Sequence, residues 1–341
     1  MLTPARATHT ARMTTAFTPA VREAFAAAIV VAEHPDDIAL SRRLHRGRSR
    51  GELVALTRGV FVPSASLAAL ARWEVEVLRA WAASALGRVR QPLCRASAAR
   101  LWGAPVLDGG AAPSIHALGW GIDDTRHRGD VRYWATRDPA ANLVTLEGAR
   151  LTDLPRTLAE LSASATFAGA VAAIDWGVRV RRRKEGPVTT VDEIRAVADA
   201  LAFVRGRGRL ECALAFADGR SESPGESWAR VLMHELGFEA PELQHEYRLP
   251  DGRVFRTDFR WPSIGLAGEF DGLAKYRAAD VRAGRSVEQV VVEEKEREDG
   301  VRSTGDGMLR LVWGDLRDRR RFAHRLEGAG VPRRRGRRTP Y

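Results

Sequence analysis

Cysteine is scarce: the 341 residues contain two, Cys94 and Cys212, far apart and without the paired spacing of a metal site. That scarcity excludes a disulfide scaffold and a zinc finger, and it fits a reducing cytoplasm. Long apolar runs are missing too. None approaches the ~18 residues that a membrane span needs, and the opening MLTPARATHTARMTTAF has no apolar core of the signal-peptide kind. Those first residues read as disordered, or as lying ahead of a start at Met13. Acidic charge is also short: 43 Asp and Glu stand against 54 Lys and Arg, a formal charge of +11. Such a balance favours a polyanionic partner, nucleic acid first. An excess made mainly of arginine in an Ala/Arg/Gly-rich chain also follows from genomic base composition.

The length allows two or three domains, each with its own core. Residues 20–34 have helical composition and stop at Pro35. Asp36 or Asp37 could cap a second helix, with Ile38, Leu40 and Leu44 on one side and Arg42, Arg43 and Arg46 on the other; Ser41 could instead cap a shorter one. After Gly47, the run RSRGELVALTRGVFVP predicts a hairpin of Glu52–Leu56 and Val60–Val62 turning at Thr57-Arg58-Gly59. Helix, helix and a hairpin tipped with arginine is the winged helix-turn-helix pattern, in which a helix enters the major groove and the wing meets the backbone. Arg42, Arg43, Arg46, Arg48, Arg50 and Arg58 are the candidate DNA contacts. The alternative is a basic surface helix followed by any hairpin.

The run SRRLHRGRSRGELVALTRGVFVP resembles the N-terminal winged-helix domain of AbiEi-type antitoxins of type IV toxin–antitoxin systems. The likeness continues in Ala96-Ser97-Ala98-Ala99 with Leu101-Trp102-Gly103-Ala104-Pro105, and in Val144-Thr145, Gly148 and TDLPRTL from Thr152 to Leu158. The helix-turn-helix core HPDDIALSRRL is shorter than the family pattern. This resemblance implies a cytoplasmic, DNA-binding transcriptional regulator, with a cognate toxin as a second partner. Between these motifs, Trp73–Leu86, Arg95–Trp102, Leu154–Ser162 and Phe167–Val180 read as helices, and Ser114–Leu118, Val131–Ala135 and Asn142–Leu146 as short strands. Ser97, Arg156 and Thr157 read as caps and buried structural contacts.

The chain is organised around Arg256–Tyr276, RTDFRWPSIGLAGEFDGLAKY. Two strands joined by a tight turn would carry Asp258 on the first and Glu269 and Asp271 on the second, the last two facing the same way because side chains alternate. Carboxylates converging beside a lysine suit a divalent-metal site for phosphodiester cleavage. Around this stretch the predicted order is a helix capped by Ser223 with Glu226 in its first turn, three antiparallel strands, a charged helix Glu288–Ser303, a strand Met308–Val312, and a helix to Leu326.

That order resembles the restriction-endonuclease-like, PD-(D/E)XK fold, and within it the module related to very-short-patch-repair endonucleases. The resembling residues are Glu226, Asp258, Glu269-Phe270-Asp271-Gly272, Lys275-Tyr276 and the Glu294-Lys295-x-x-Glu298-Asp299 helix. The resemblance implies Mg²⁺ held by Asp258 and Glu269 with Glu226 assisting. Asp271 stands where the family has its catalytic lysine, so Lys275 or Lys295 would supply that charge, and Asp258, Glu269, Asp271 and Lys275 form the candidate catalytic set. The alternative is a salt-bridged strand end in a fold that has lost hydrolysis.

The expected architecture is therefore α/β (α+β). It runs from a disordered start, 1–19, through a winged helix, 20–65, an α/β middle region, 66–185, and a helical linker, 186–220. A restriction-endonuclease-like domain, 221–328, and a basic tail, 329–341, complete it. The first two functional expectations are a DNA-binding antitoxin-like regulator carrying a nuclease-fold domain, and a Mg²⁺-dependent DNA endonuclease targeted by its winged helix. A third is a toxin-neutralising interaction module.

Overall fold

The computed structural model describes residues 16–31, 38–87, 89–107, 114–121, 124–138, 140–180, 187–202, 205–249, 251–272 and 287–334, with the side chains of all but 38, 41 and 287–294. It is an α/β chain of helices and small sheets. Its contacts divide it into two compact units, Met1–Thr166 with Val188–Glu211, and Phe167–Pro187 with Cys212–Tyr341. Among the described residues no helix is long and apolar enough to cross a membrane.

The first unit starts with helix α1, Pro19–Ala26, capped by the Thr18 hydroxyl and begun by a proline at its first position. The helix stops sooner than residues 20–34 predict. The β-branched Ile29–Val30 form strand β1 instead, pairing with Val60 and Phe61. Helix α2, Ile38–Ser49, buries Leu40 and Leu44 and leaves Arg42, Arg43, Arg46 and Arg48 exposed. Strands β2, Leu53–Thr57, and β3, Val60–Pro63, follow as the expected hairpin, with Gly59 at φ +82 completing the turn, and the sheet order is β1-β3-β2. Short helix α3, Ser64–Ala68, leads into α4, Arg72–Ala85. There the Trp81 ring stacks on Phe25 at 3.6 Å.

Helix α5, Arg95–Trp102, packs against a three-stranded sheet of β4, Ile115–Gly119, β5, Arg126–Arg128, and β6, Val131–Ala135, in the order β4-β6-β5. A hairpin of β7, Leu143–Leu146, and β8, Ala149–Thr152, precedes helix α6, Leu154–Ser162. Asp153 caps α6 through the Arg156 amide. The Arg156 side chain is fully buried, pairing with Glu160 at 2.8 Å and donating to the Asp138 and Ala141 carbonyls and the Thr136 hydroxyl. Ser97 accepts the His116 amide, and the Thr157 and Thr152 hydroxyls meet at 2.6 Å. All three residues make structural contacts, in line with their reading as caps and buried structural polar groups.

Contacts divide the middle of the chain differently from its sequence order. Helix α7, Phe167–Val178, read with the middle region, packs in the second unit. Helix α8, Val191–Ala200, read as linker, packs against α6 in the first. Helix α9 is Arg207–Phe216.

The second unit is built on helix α10, Pro224–Glu235, and a four-stranded sheet. Its strands are β9, Glu242–Arg248, β10, Val254–Trp261, β11, Leu266–Asp271, and β12, Gly307–Val312, in the order β12-β11-β10-β9. β9, β10 and β11 pair antiparallel, whereas β12 lies parallel to β11. A parallel neighbour requires a crossover connection, which helix α11, Val287–Ser303, provides. The closing helical segment is two helices, α12, Trp313–Leu316, and α13, Arg319–Gly328, rather than the single one expected, because Asp318 caps the second. Phe238, Phe259, Trp261, Phe270 and Phe322 form an aromatic core between the sheet, α10 and α13. Each such side chain contributes roughly 1.5–3 kcal/mol on burial. Buried Asp175 of α7 takes hydrogen bonds from Ser227 and Arg230 of α10, which fixes that helix.

Candidate functional site

Two clusters of predicted site residues stand out, one in each unit. In the first, Arg42, Arg43, Arg46 and Arg48 line the outer side of α2, Arg50 follows its end, and Arg58 sits exposed at the β2–β3 turn. Arg50 approaches Glu52 at 3.9 Å, with both side chains mostly exposed. The other five form no ion pair with a described residue. Helix and hairpin thus present a basic surface, five of whose arginines are not paired with an acid among the described residues.

The second cluster lies where α10 meets the sheet. Ser223 caps α10 by accepting the Glu226 amide, and Pro224 fixes the first turn. Gly225 rests against Phe270 of β11: a Cβ there would lie 1.9 Å from the ring. This close approach carries Glu226 into the sheet, where it is 5% exposed. One of its oxygens accepts the Glu222 amide at 2.8 Å and the Gln244 side-chain amide at 3.0 Å. The same Gln244 nitrogen reaches Asp258 at 3.4 Å, and the other Asp258 oxygen accepts the Phe270 amide at 2.8 Å. Asp258 is thereby tied to the strand that bears Glu269. Burial, then the charge of Asp258, push the Glu226 carboxyl up to about 7.

Gln244 was not foreseen. It lies within β9, yet its backbone stands at φ +56, and the β9–β10 ladder skips it, pairing His245 with Thr257 and Leu243 with Phe259. The irregularity turns its amide towards the two acids. Nothing in the run ELQHEYR signals it.

Glu269 and Asp271 alternate along β11 and share a side, as expected, but cations from neighbouring elements engage both. Arg297 of α11 donates to Glu269 at 2.8 Å, and Arg310 of β12 bridges Asp271 at 3.3 Å and Glu298 at 3.0 Å. The cation placed on Glu269 is thus Arg297, whereas Lys295 is exposed on α11; Lys275 lies outside the described residues. The structure brings Glu226 and Asp258 together and sets Glu269 in an ion pair. Among the described residues no three His, Cys, Asp or Glu side chains converge as metal ligands. The Glu226–Asp258 pair by itself suits a hard cation. It offers carboxylate oxygens, and its mutual repulsion would be relieved by positive charge, while Mg²⁺ commonly takes only one or two protein carboxylates.

No protein-family model matches the chain. It is 31% identical over 183 residues to an uncharacterized protein of Mycobacterium tuberculosis, in strain CDC 1551 / Oshkosh and in strain ATCC 25618 / H37Rv alike. The match covers 53% of this chain and 62% of those relatives, so the chain spans less than two thirds of their length.

Proposed function

We propose that this chain is a DNA-binding regulator of the AbiEi-like kind, with a restriction-endonuclease-like second unit. The observation that carries this reading is the set of exposed arginines on α2 and at the β2–β3 turn, five of them without an ion pair among the described residues. The order helix, strand, helix, hairpin, with β1 closing the sheet beside β3, is compatible with a winged helix. In that arrangement α2 would lie in the major groove and Arg58 would reach the phosphate backbone. Phosphate contacts position a protein and make its affinity fall with salt. The test is duplex binding by the full chain over a salt series, with Arg46→Ala and Arg58→Ala. Each variant should reduce the slope of log K against log salt by about 1. Affinity that is indifferent to salt would contradict the reading.

One observation favours a second reading, Mg²⁺-dependent DNA cleavage: the acid pair formed by buried Glu226 and half-buried Asp258. When bound there, Mg²⁺ would offset charge developing on a phosphate. Gln244 orients both carboxylates, and the Phe270 amide fixes Asp258. Incubation of DNA with Mg²⁺ and either wild type or Asp258→Ala separates the two readings. Cleavage by the wild type alone supports the enzyme; no cleavage by either leaves a binding protein of nuclease-like fold.

A further inference from the structure

The sheet beneath α5 carries an unusual row. On β6, Arg132 stands opposite His116 of β4 on one side and His127 of β5 on the other. Side chains alternate along a strand, so Trp134 shares the face of Arg132. Arg95, at the first position of α5, completes the group from above. The guanidinium carbons of Arg95 and Arg132 lie 4.0 and 3.9 Å from the Trp134 ring centre, and the His116 ring meets the indole edge-on at 5.6 Å.

Cation–π attraction holds each guanidinium on the indole, yet it leaves two like charges within about 8 Å of each other. Nearby acids do not balance them. Glu76 pairs with Arg100, Asp130 with Arg79, and Glu160 with Arg156, offering Arg95 only its backbone carbonyl. Neither Arg95 nor Arg132 forms an ion pair with a described residue. Burial, then the charges of Arg95, Arg100, Arg132 and His127, hold the His116 imidazole neutral, its pKa lowered to about 3.

The same cluster gathers orphaned polar atoms. Arg95 Nε, Arg132 Nε, Trp134 Nε1 and His116 Nδ1 are buried without a hydrogen-bond partner among the described residues. Three of these are obligate donors. The fourth is a donor in the tautomer in which His116 Nε2 accepts a hydrogen bond from the Ser114 hydroxyl, 2.9 Å away, and Nδ1 carries the proton. Buried donors left unmade are costly and uncommon in native proteins, and four on one sheet face point to an acceptor that arrives from outside.

We propose that this face binds a phosphate group, whose oxygens accept from Arg95, Arg132, Trp134 and His116, with His127 at the rim. Two guanidiniums already occupy the indole π surface, so the ligand is engaged through its phosphate rather than by stacking of a base. The group could be free phosphate or the phosphate of a nucleotide. The site uses none of the elements of the α2–hairpin surface and does not rest on the DNA-binding reading.

The test is calorimetric titration of the full chain with inorganic phosphate at constant ionic strength. Parallel titrations use thymidine 5′-phosphate and thymidine. Wild type should bind phosphate saturably. Arg132→Gln should weaken binding about tenfold or more, and Trp134→Phe, which keeps the ring but removes one donor, several-fold. Circular dichroism checks that both variants are folded, and the ³¹P shift of phosphate with wild type gives a readout independent of either. Thymidine 5′-phosphate binding more tightly than inorganic phosphate identifies a nucleotide ligand, and equal or weaker binding identifies free phosphate. No saturable phosphate binding by wild type, folded variants that bind as it does, or thymidine binding as well as its phosphate would each overturn the proposal.

Discussion

Gln244 donates to Glu226 at 3.0 Å from a backbone held at φ +56 in the middle of a strand. A non-glycine residue in that region costs about 1–3 kcal/mol and persists only where its surroundings over-determine it. Here the surroundings are two carboxylates that need a donor. Gln244→Ala keeps the strand and removes the donor, which favours the protonated acid. The Glu226 carboxyl, already raised to about 7, should titrate higher still. Side-chain carboxyl NMR of wild type and variant measures this, and an unchanged titration would remove Gln244 from the site.

The raised Glu226 pKa also fixes the sign of a stability change. The folded state keeps a proton that the unfolded chain releases near 4.5, so this group makes the second unit less stable as pH rises from there to about 7. Asp175, pushed up to about 6 chiefly by burial despite Arg230, acts in the same direction from its ordinary 3.8. Glu226→Gln should therefore flatten the decline between pH 6 and 7 and leave the Asp175 part below it. Urea midpoints at pH 5, 6 and 7 test the separation. A wild-type slope retained above pH 6 in the variant would contradict it.

Gly225→Ala probes how the acid is positioned. The added methyl group would overlap the Phe270 ring, so the first turn of α10 must move away from β11. Overpacking of this kind typically costs about 1–3 kcal/mol. The expected result is a lower denaturant midpoint together with a Glu226 titration shifted towards the ordinary carboxylate range, as the side chain leaves the sheet. Loss of stability with an unmoved titration would mean that Gly225 packs the core without placing the acid.

Arg156→Met tests a buried ion pair in the first unit. Removing the guanidinium leaves Glu160 as a buried charge and takes donors from the Asp138 and Ala141 carbonyls. A loss of about 3–5 kcal/mol is expected. The double variant Arg156→Met with Glu160→Leu should recover part of it, because no charge is then stranded. A double variant as unstable as the single one would place the effect in the loop carbonyls.

Local patterns carried much of the architecture. Period-2 and period-3.6 runs gave most helices and strands to within a few residues, and Ser223 and Gly59 marked a cap and a turn that the structure contains. Misses arose where tertiary contacts override local preference. Ile29–Val30 join a sheet because β3 offers an edge, although the alanines before them favour a helix. Arg126–Arg128 form a strand with all three side chains exposed, so no apolar alternation announces it. The contact partners of α7 and α8 are set by elements distant in sequence. At the site, the carboxylates were legible from their types and spacing. Gln244, Arg297 and Arg310 were not, since their roles follow from a backbone irregularity, a crossover helix and a parallel strand.

The sheet order has a dynamic consequence. Among the described strands β9 is an outer one with one neighbour, whereas β10 and β11 are each flanked on both sides. Native proteins open in cooperative pieces, and a peripheral strand can detach at less free energy than global unfolding requires. Detachment of β9 would withdraw the Gln244 amide while Asp258 stays fastened to Phe270 and Glu269 to Arg297. Amide hydrogens of β9 should then exchange ahead of those in β10 and β11, and the coupling between the two acids would come and go with that opening.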